Sequence, residues 1–249
     1  MAFTSWRGTM GLIMPTYRPG ALEDIVRLLP EGIGVVPMML GISQGSAGEF
    51  RDALGIVESR VRELAQVGVD LVAPMGAPPF MLLGYAGERE LLDRWERDYG
   101  LPCVSAGVTQ VEAMRALGVK RLVGVTYFTG ELNDLFARYF TGAGFEVLGM
   151  HGLDVGFDQV QKLSSHEVYA HAKSAFVRHR GADAVYLLGA GWRVLDIVQT
   201  LEDDVDVPVL HSAPARVWHT QRHFLVGQRR QGYGRLLSEL PPLANARTA

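Results

Sequence analysis

Two stretches of this chain carry one phrase: GVDLVAPMGAPP at 68–79 and GADAVYLLGAGW at 181–192. Each runs from a glycine through an aspartate and a short apolar segment to a Gly-Ala pair. A glycine closing a helix, an apolar strand and a second glycine turn make the closing half of an α/β unit. The repeat continues, because GLPCVSAGV at 100–108 corresponds to DVPVLHSAP at 206–214, each a strand opening at an X-Pro step and turning into another helix. Matched pairs in matched order point to a duplicated α/β half. That duplication constrains the fold more than any single motif does.

The rest of the chain fits it. Apolar runs at 10–15, 32–39, 70–76, 102–106, 121–127, 146–152, 183–189 and 207–213 alternate with amphipathic stretches. Continuous rather than alternating apolar runs suit strands covered on both faces of a parallel sheet. FRDALGIVESRVRELAQVG sets Leu54, Val57, Val61, Leu64 and Ala65 on one helical face and stops at Gly68, and GELNDLFARYFTGAG spans a second helix between glycines. The expected fold is α/β: two pseudo-symmetric, Rossmann-like or flavodoxin-like lobes with parallel sheets and a cleft between them. Lobe one is expected to comprise 1–117 plus 216–249, with the QGYGRLL tail returning to it, and lobe two 118–215.

In open parallel sheets the ligand sits beyond the C-terminal ends of the strands. The residues there are Thr16 and Tyr17, Gly76 and Ala77, Thr126, Tyr127 and Phe128, then Gly189, Ala190, Gly191 and Trp192, and finally His211 and Ser212. Glycine turns let backbone N–H groups approach a guest, and the helix starts behind them favour anions. A small carboxylate is the natural ligand.

Composition narrows the alternatives. A net charge of −3 over 249 residues, with scattered Lys and Arg, offers no basic field for nucleic acid. No apolar run spans a bilayer, and MAFTSWRGTMGLIMP is not the pattern of a secretory leader, so a cytoplasmic protein is expected. These features are compatible with a homo-oligomer. One cysteine, Cys103, excludes an internal disulfide and a multi-cysteine zinc site. No GxGxxG, Walker loop or GxSxG elbow occurs, which argues against nucleotide and elbow-hydrolase chemistry. The two histidines in WHTQRH, His219 and His223, have a spacing that can meet a metal, although a solvated helix face is the plainer reading. The acidic run at 202–206 reads as a solvated loop.

Taken in order, GLIMP, VAPMG, GLPCVSAGVTQVEAMRALGVKRL, VTYFTGELN, GADAVYLLGAGW, VPVLHSAPARVW and GYGRL cover nearly the whole chain. In this order they resemble the aspartate/glutamate racemase superfamily, in its arylmalonate decarboxylase and maleate cis–trans isomerase branch. The resemblance implies two pseudo-symmetric lobes, an active site between them and chemistry without a cofactor. It also implies a cysteine after the third strand of one or both lobes. Here Gly76 or Ala77 stands at the first position and Gly189 at the second, and neither can carry a proton. Cys103 falls in a strand and reads as a structural thiol. Ala77 and Pro78 stand where the resemblance implies carboxylate-binding hydroxyls, and the family's lobe-two tyrosine falls on Phe128 with Tyr127 one place earlier.

Without a thiol, proton transfer falls to His, Tyr, Asp, Glu or Lys. His211 is the leading candidate, at the end of a strand and the start of a helix, with the alternative of a histidine bonded to a turn carbonyl. Tyr17 and Tyr127 are expected to form a pair, one per lobe. Thr16, Gly76, Ala77, Thr126, Phe128, Gly189, Ala190, Gly191, Trp192 and Ser212 are expected to bind substrate. Arg18 and Arg193 lie at turns where a guanidinium can grip a carboxylate, and His151 is placed on the cleft or its outer rim. The expectation is a cofactor-independent lyase or isomerase, decarboxylase-like, acting on a small carboxylic or dicarboxylic acid. The alternatives are a hydrolase or hydratase using His211-activated water, and a catalytically silent carboxylate-binding protein.

Overall fold

The computed structural model describes residues 4–243. Its first half runs β1 (Gly8–Met14), α1 (Gly20–Leu28), β2 (Ile33–Met39), α2 (Ala47–Val67), β3 (Leu71–Pro74), α3 (Ala77–Met81), α4 (Gly84–Tyr99) and α5 (Ala106–Ala116). The second runs β4 (Arg121–Thr126), α6 (Glu131–Gly142), β5 (Glu146–Gly152), α7 (Ser165–Arg178), β6 (Ala184–Leu187), α8 (Val198–Val205), β7 (Val209–His211) and α9 (Ser212–His223), followed by α10 (Arg235–Glu239). The strands form two parallel sheets, β2-β1-β3 and β5-β4-β6-β7. Both are covered by helices, which is why Leu12, Ile13, Val72, Val123, Val125, Val185 and Leu187 are buried irrespective of the face they point to.

The stretch expected as a strand at 102–106 survives only as a bridge between Cys103 and Val72. Val72 donates to the Pro102 carbonyl and Val104 donates to the Val72 carbonyl, both at 2.9 Å. The chain then leaves the sheet at once, because Ser105 caps α5 by accepting from the Val108 N–H at 3.1 Å. With that bridge counted, the first sheet repeats the order of the second: edge, centre, third strand, then a short segment entering a helix. The sequence duplication is therefore a duplication of sheet order.

Helix ends follow local chemistry. Ser46 caps α2 by accepting from Glu49 N, and Gly68 closes it at φ 81°, a left-handed conformation that suits glycine. The acidic run at 202–206, expected as a solvated loop, instead ends α8. Glu202 is buried and takes Arg235 Nε at 2.5 Å together with the Arg235 backbone N–H. The tail is thereby tied to α8 of the second half, while Arg230 Nη2 reaches the Leu29 carbonyl of the first at 3.5 Å. Helices α5 and α9, the pseudo-equivalent last helices, pack against each other where the halves meet.

Candidate active site

The C-terminal ends of β1, β3, β4, β6 and β7 converge on a cavity of about 40 Å³. Its lining includes Thr16, Gly76, Ala77, Tyr127, Phe128, Gly189, Ala190, Gly191 and Ser212, together with residues the sequence did not single out: Ile42, Phe50, Gln110 and Phe157. The volume is far below the roughly 300–1,000 Å³ of ordinary small-molecule sites, so the cleft is nearly closed. A second, polar cavity of about 460 Å³ adjoins it and shares Arg18, Ala21, Ala190 and Gly191 as walls.

The backbone supplies donors. No hydrogen bond among the described residues engages the N–H groups of Gly76, Ala77, Gly189 or Ala190. On the lobe-one side the next two residues are Pro78 and Pro79, so that turn offers no further N–H.

Tyr127 brings a phenol to the cavity wall. It is buried, and its hydroxyl accepts the Gly191 N–H at 3.2 Å, leaving its own hydrogen for a guest. Burial pushes the phenol up to about 12, against smaller downward pulls from the Gly191 bond and the Arg18 charge, so near neutrality it is a donor. Its ring packs edge-on to Trp192 at 5.1 Å and tilted against Phe128 at 4.7 Å.

Gly189, matched to the family's lobe-two cysteine, and Gly76, one of the two lobe-one matches beside Ala77, each have a steric reason to be glycine. Gly189 sits at φ 113°, and a Cβ there would collide with Tyr127, including its Oη at 2.6 Å. Gly76 sits at φ 81°, where a Cβ would lie 2.8 Å from Cβ of Pro15. The space a thiol at 189 would use is filled by Tyr127, whereas Ala77, the other lobe-one match, already carries a Cβ at the cavity.

Several expected residues stand elsewhere. His211 is fully buried but absent from the cavity wall: Nδ1 accepts the Ala213 N–H at 3.4 Å, so Nε2 carries the hydrogen and donates to the Gly189 carbonyl at 3.0 Å. Burial lowers its pKa to about 4, a neutral imidazole bonded to a turn. The expected pairing of Tyr17 with Tyr127 does not form, because Tyr17 is 76% exposed with its ring over Gly41. The chain leaves β1 at Met14 and bends before Tyr17, turning that side chain outward. Thr126 is consumed by its own turn: Oγ1 accepts the Phe128 N–H at 3.0 Å and donates to Asn133 Oδ1 at 2.7 Å. Trp192 lines the polar cavity and reaches the closed one only through its packing on Tyr127. His151 faces away, with Nε2 2.6 Å from Nε2 of His179. His219 pairs with Glu112 at 3.2 Å, and among the described residues no group of three His, Cys, Asp or Glu is placed to hold a metal ion. Cys103 is buried, and burial raises its thiol to about 12.

Gln110 and Phe157 escaped the strand-end rule for different reasons. Gln110 comes from the first turns of α5, where Tyr186 donates to its Oε1 at 2.5 Å. Phe157 comes from the irregular segment after β5 and carries no local signal.

Two duplicated parallel sheets with a closed site of glycine turns between them define a class of two-lobe α/β proteins. The chain belongs to the arylmalonate decarboxylase family, whose profile matches residues 10–237. It is 26% identical to the arylmalonate decarboxylase of Bordetella bronchiseptica over 233 residues, covering 93% of this chain and 97% of that one. Among solved structures, a Gly-to-Cys and Cys-to-Ser double variant of arylmalonate decarboxylase in liganded form superposes with a TM-score of 0.83 at 24% identity, covering 93% of this chain and 99% of that one. A Cys-to-Ser variant of the Nocardia farcinica maleate cis–trans isomerase, holding a covalently bound succinylcysteine intermediate, gives 0.85 at 20% identity, covering 93% and 98%. No helix among the described residues is long and apolar enough to cross a membrane.

Proposed function

We propose that this protein is a cofactor-independent lyase of the decarboxylase kind, acting on a small carboxylic or dicarboxylic acid, with Tyr127 in place of a thiol as proton donor. The observation that carries this reading is the Tyr127 phenol lying in the space a side chain at Gly189 would occupy, its hydrogen uncommitted.

The chemistry runs as follows. A substrate carboxylate held against the apolar walls formed by Ile42, Phe50 and Phe128 loses the solvation that would stabilise its charge. The bond to that carboxylate breaks, CO2 leaves, and the electron pair stays on the α-carbon, delocalised into the remaining carboxylate as an enediolate. The free N–H groups of Gly76, Ala77, Gly189 and Ala190 are donors for the developing oxyanion. Tyr127 then gives its proton to carbon, and the resulting phenolate, held by the Gly191 N–H, recovers a proton from solvent. The buried phenol, at about 12, is a far stronger acid than the carbon it protonates. His211 positions the Gly189 carbonyl in this reading and touches no substrate.

The test is NMR-monitored incubation with alkyl- and arylmalonates in D2O. Expected is loss of CO2 with one deuterium at the α-carbon, slowed about 10²–10⁴-fold in Tyr127→Phe. Equal turnover by Tyr127→Phe would remove the phenol from the mechanism. Filling of the space over Gly189 favours one competing reading, a silent carboxylate-binding protein, which predicts binding without turnover.

A further inference from the structure

The geometry points to Arg18 as the side-chain receptor for the substrate's non-reacting carboxylate, gripping it through Nη1 beside the Tyr127 hydroxyl. This assignment rests on the carboxylate-handling reading above and adds to it the residue that selects for a charged substrate.

Arg18 is the one shared wall of the two cavities that carries a charge. Its Nη2 donates to the Phe157 carbonyl at 2.5 Å, and its guanidinium lies 4.5 Å from the centroid of the Phe157 ring. Nη1, however, is buried without a hydrogen-bond partner. A Cβ built on Gly191 would be 3.0 Å from Arg18 Nη1 and 3.0 Å from Tyr127 Oη. The open donor of Arg18 and the phenol therefore both lie against Gly191, one group from each lobe.

The neighbouring charges sharpen the assignment. In the polar cavity, Arg27 is paired with Asp24 at 3.0 Å and Arg193 with Asp196 at 2.7 Å. Among the described residues no carboxylate lies within ion-pair distance of Arg18. A guanidinium nitrogen removed from water without an anion is costly, and a carboxylate guest removes that cost. The lobe-one turn cannot serve instead through side chains, because Ala77, Pro78 and Pro79 have no polar atoms there. Arg18 thus holds the charge that stays, while the reacting group meets the apolar wall.

Calorimetric titration of the full chain with malonate, maleate and uncharged malonamide tests this, using wild type, Arg18→Met and Arg18→Lys. Wild type should bind the acids and not malonamide. Arg18→Met should lose about 10- to 100-fold in affinity, the effect of one charge-assisted hydrogen bond, and Arg18→Lys should recover part of it. If wild type binds the acids and a folded Arg18→Met binds them equally well, the Arg18 assignment falls while the carboxylate reading stands. If wild type binds none of the acids, both fall. Should Arg18→Met fail to fold, ¹⁵N-arginine NMR of wild type decides. The guanidinium signal that is absent from Arg18→Lys must shift on adding malonate, and an unmoved signal overturns the assignment.

Discussion

The Tyr127 ring occupies the volume above Gly189, so that a Cβ on Gly189 would meet Cε1, Cζ and Oη of the phenol. With φ at 113°, any larger residue at 189 is strained before it reaches the ring. Restoring the family thiol as Gly189→Cys should therefore destabilise the protein by about 3 kcal/mol or more, combining backbone strain and overpacking. Adding Tyr127→Ala should return part of that loss. Urea unfolding of the two single variants and the double would give a favourable coupling energy. Strict additivity would show that Tyr127 does not hold this space.

Cys103 should be inert. It is 4% exposed, and burial, aided by the Glu96 charge, raises its thiol to about 12. Only the thiolate alkylates, so native protein should react with N-ethylmaleimide no faster than it unfolds. Cys103→Ala should keep whatever turnover the wild type has. Rapid labelling accompanied by loss of turnover or of acid binding would bring a thiol back into the chemistry.

The doubled phrase and its glycine turns were legible because strand-and-turn spacing sets where backbone goes. It also gave the cavity floor: Gly76, Ala77, Gly189, Ala190 and Gly191 all line it. Side-chain direction was not legible to the same degree. His211 and Tyr17 both follow strands, yet one imidazole is committed to a helix cap and a carbonyl, and one phenol turns outward at a bend. Local hydrogen bonding decides such cases, and a strand-end rule carries no information about it. The Arg18 clasp on Phe157 joins segments 139 positions apart, and no periodicity encodes that meeting.

The turn that presents Tyr127 is held by polar bonds on either side. Thr126 Oγ1 takes the Phe128 N–H and reaches Asn133, while Asn133 Nδ2 donates to the Phe128 carbonyl at 2.8 Å. Thr126→Val leaves a buried N–H and a buried amide oxygen unpaired, which should cost about 2 kcal/mol or more. The loosened phenol should lower kcat tenfold or more, while malonate affinity, set by Arg18, stays within about threefold. A matching loss of affinity would mean that Thr126 binds substrate directly, as its strand-end position first suggested.

Two buried groups should oppose each other in the pH dependence of stability. Burial lowers His211 from 6.5 to about 4, whereas the unfolded chain takes up that proton near 6.5. Its contribution is therefore complete above pH 6.5 and lost as pH falls toward 4. Burial raises Glu88 from 4.5 to about 7, despite its bonds from Ser105 and Tyr139. The folded protein keeps a proton that the unfolded chain releases near 4.5, so this contribution is complete below pH 4.5 and lost as pH rises toward 7. Each shift corresponds to roughly 3 kcal/mol, and over pH 4.5–6.5 the two slopes nearly cancel. Urea titrations at half-unit steps should show, relative to wild type, Glu88→Gln gaining stability with rising pH and His211→Gln losing it. Parallel profiles for all three proteins would show that neither group is held in the neutral form the packing implies.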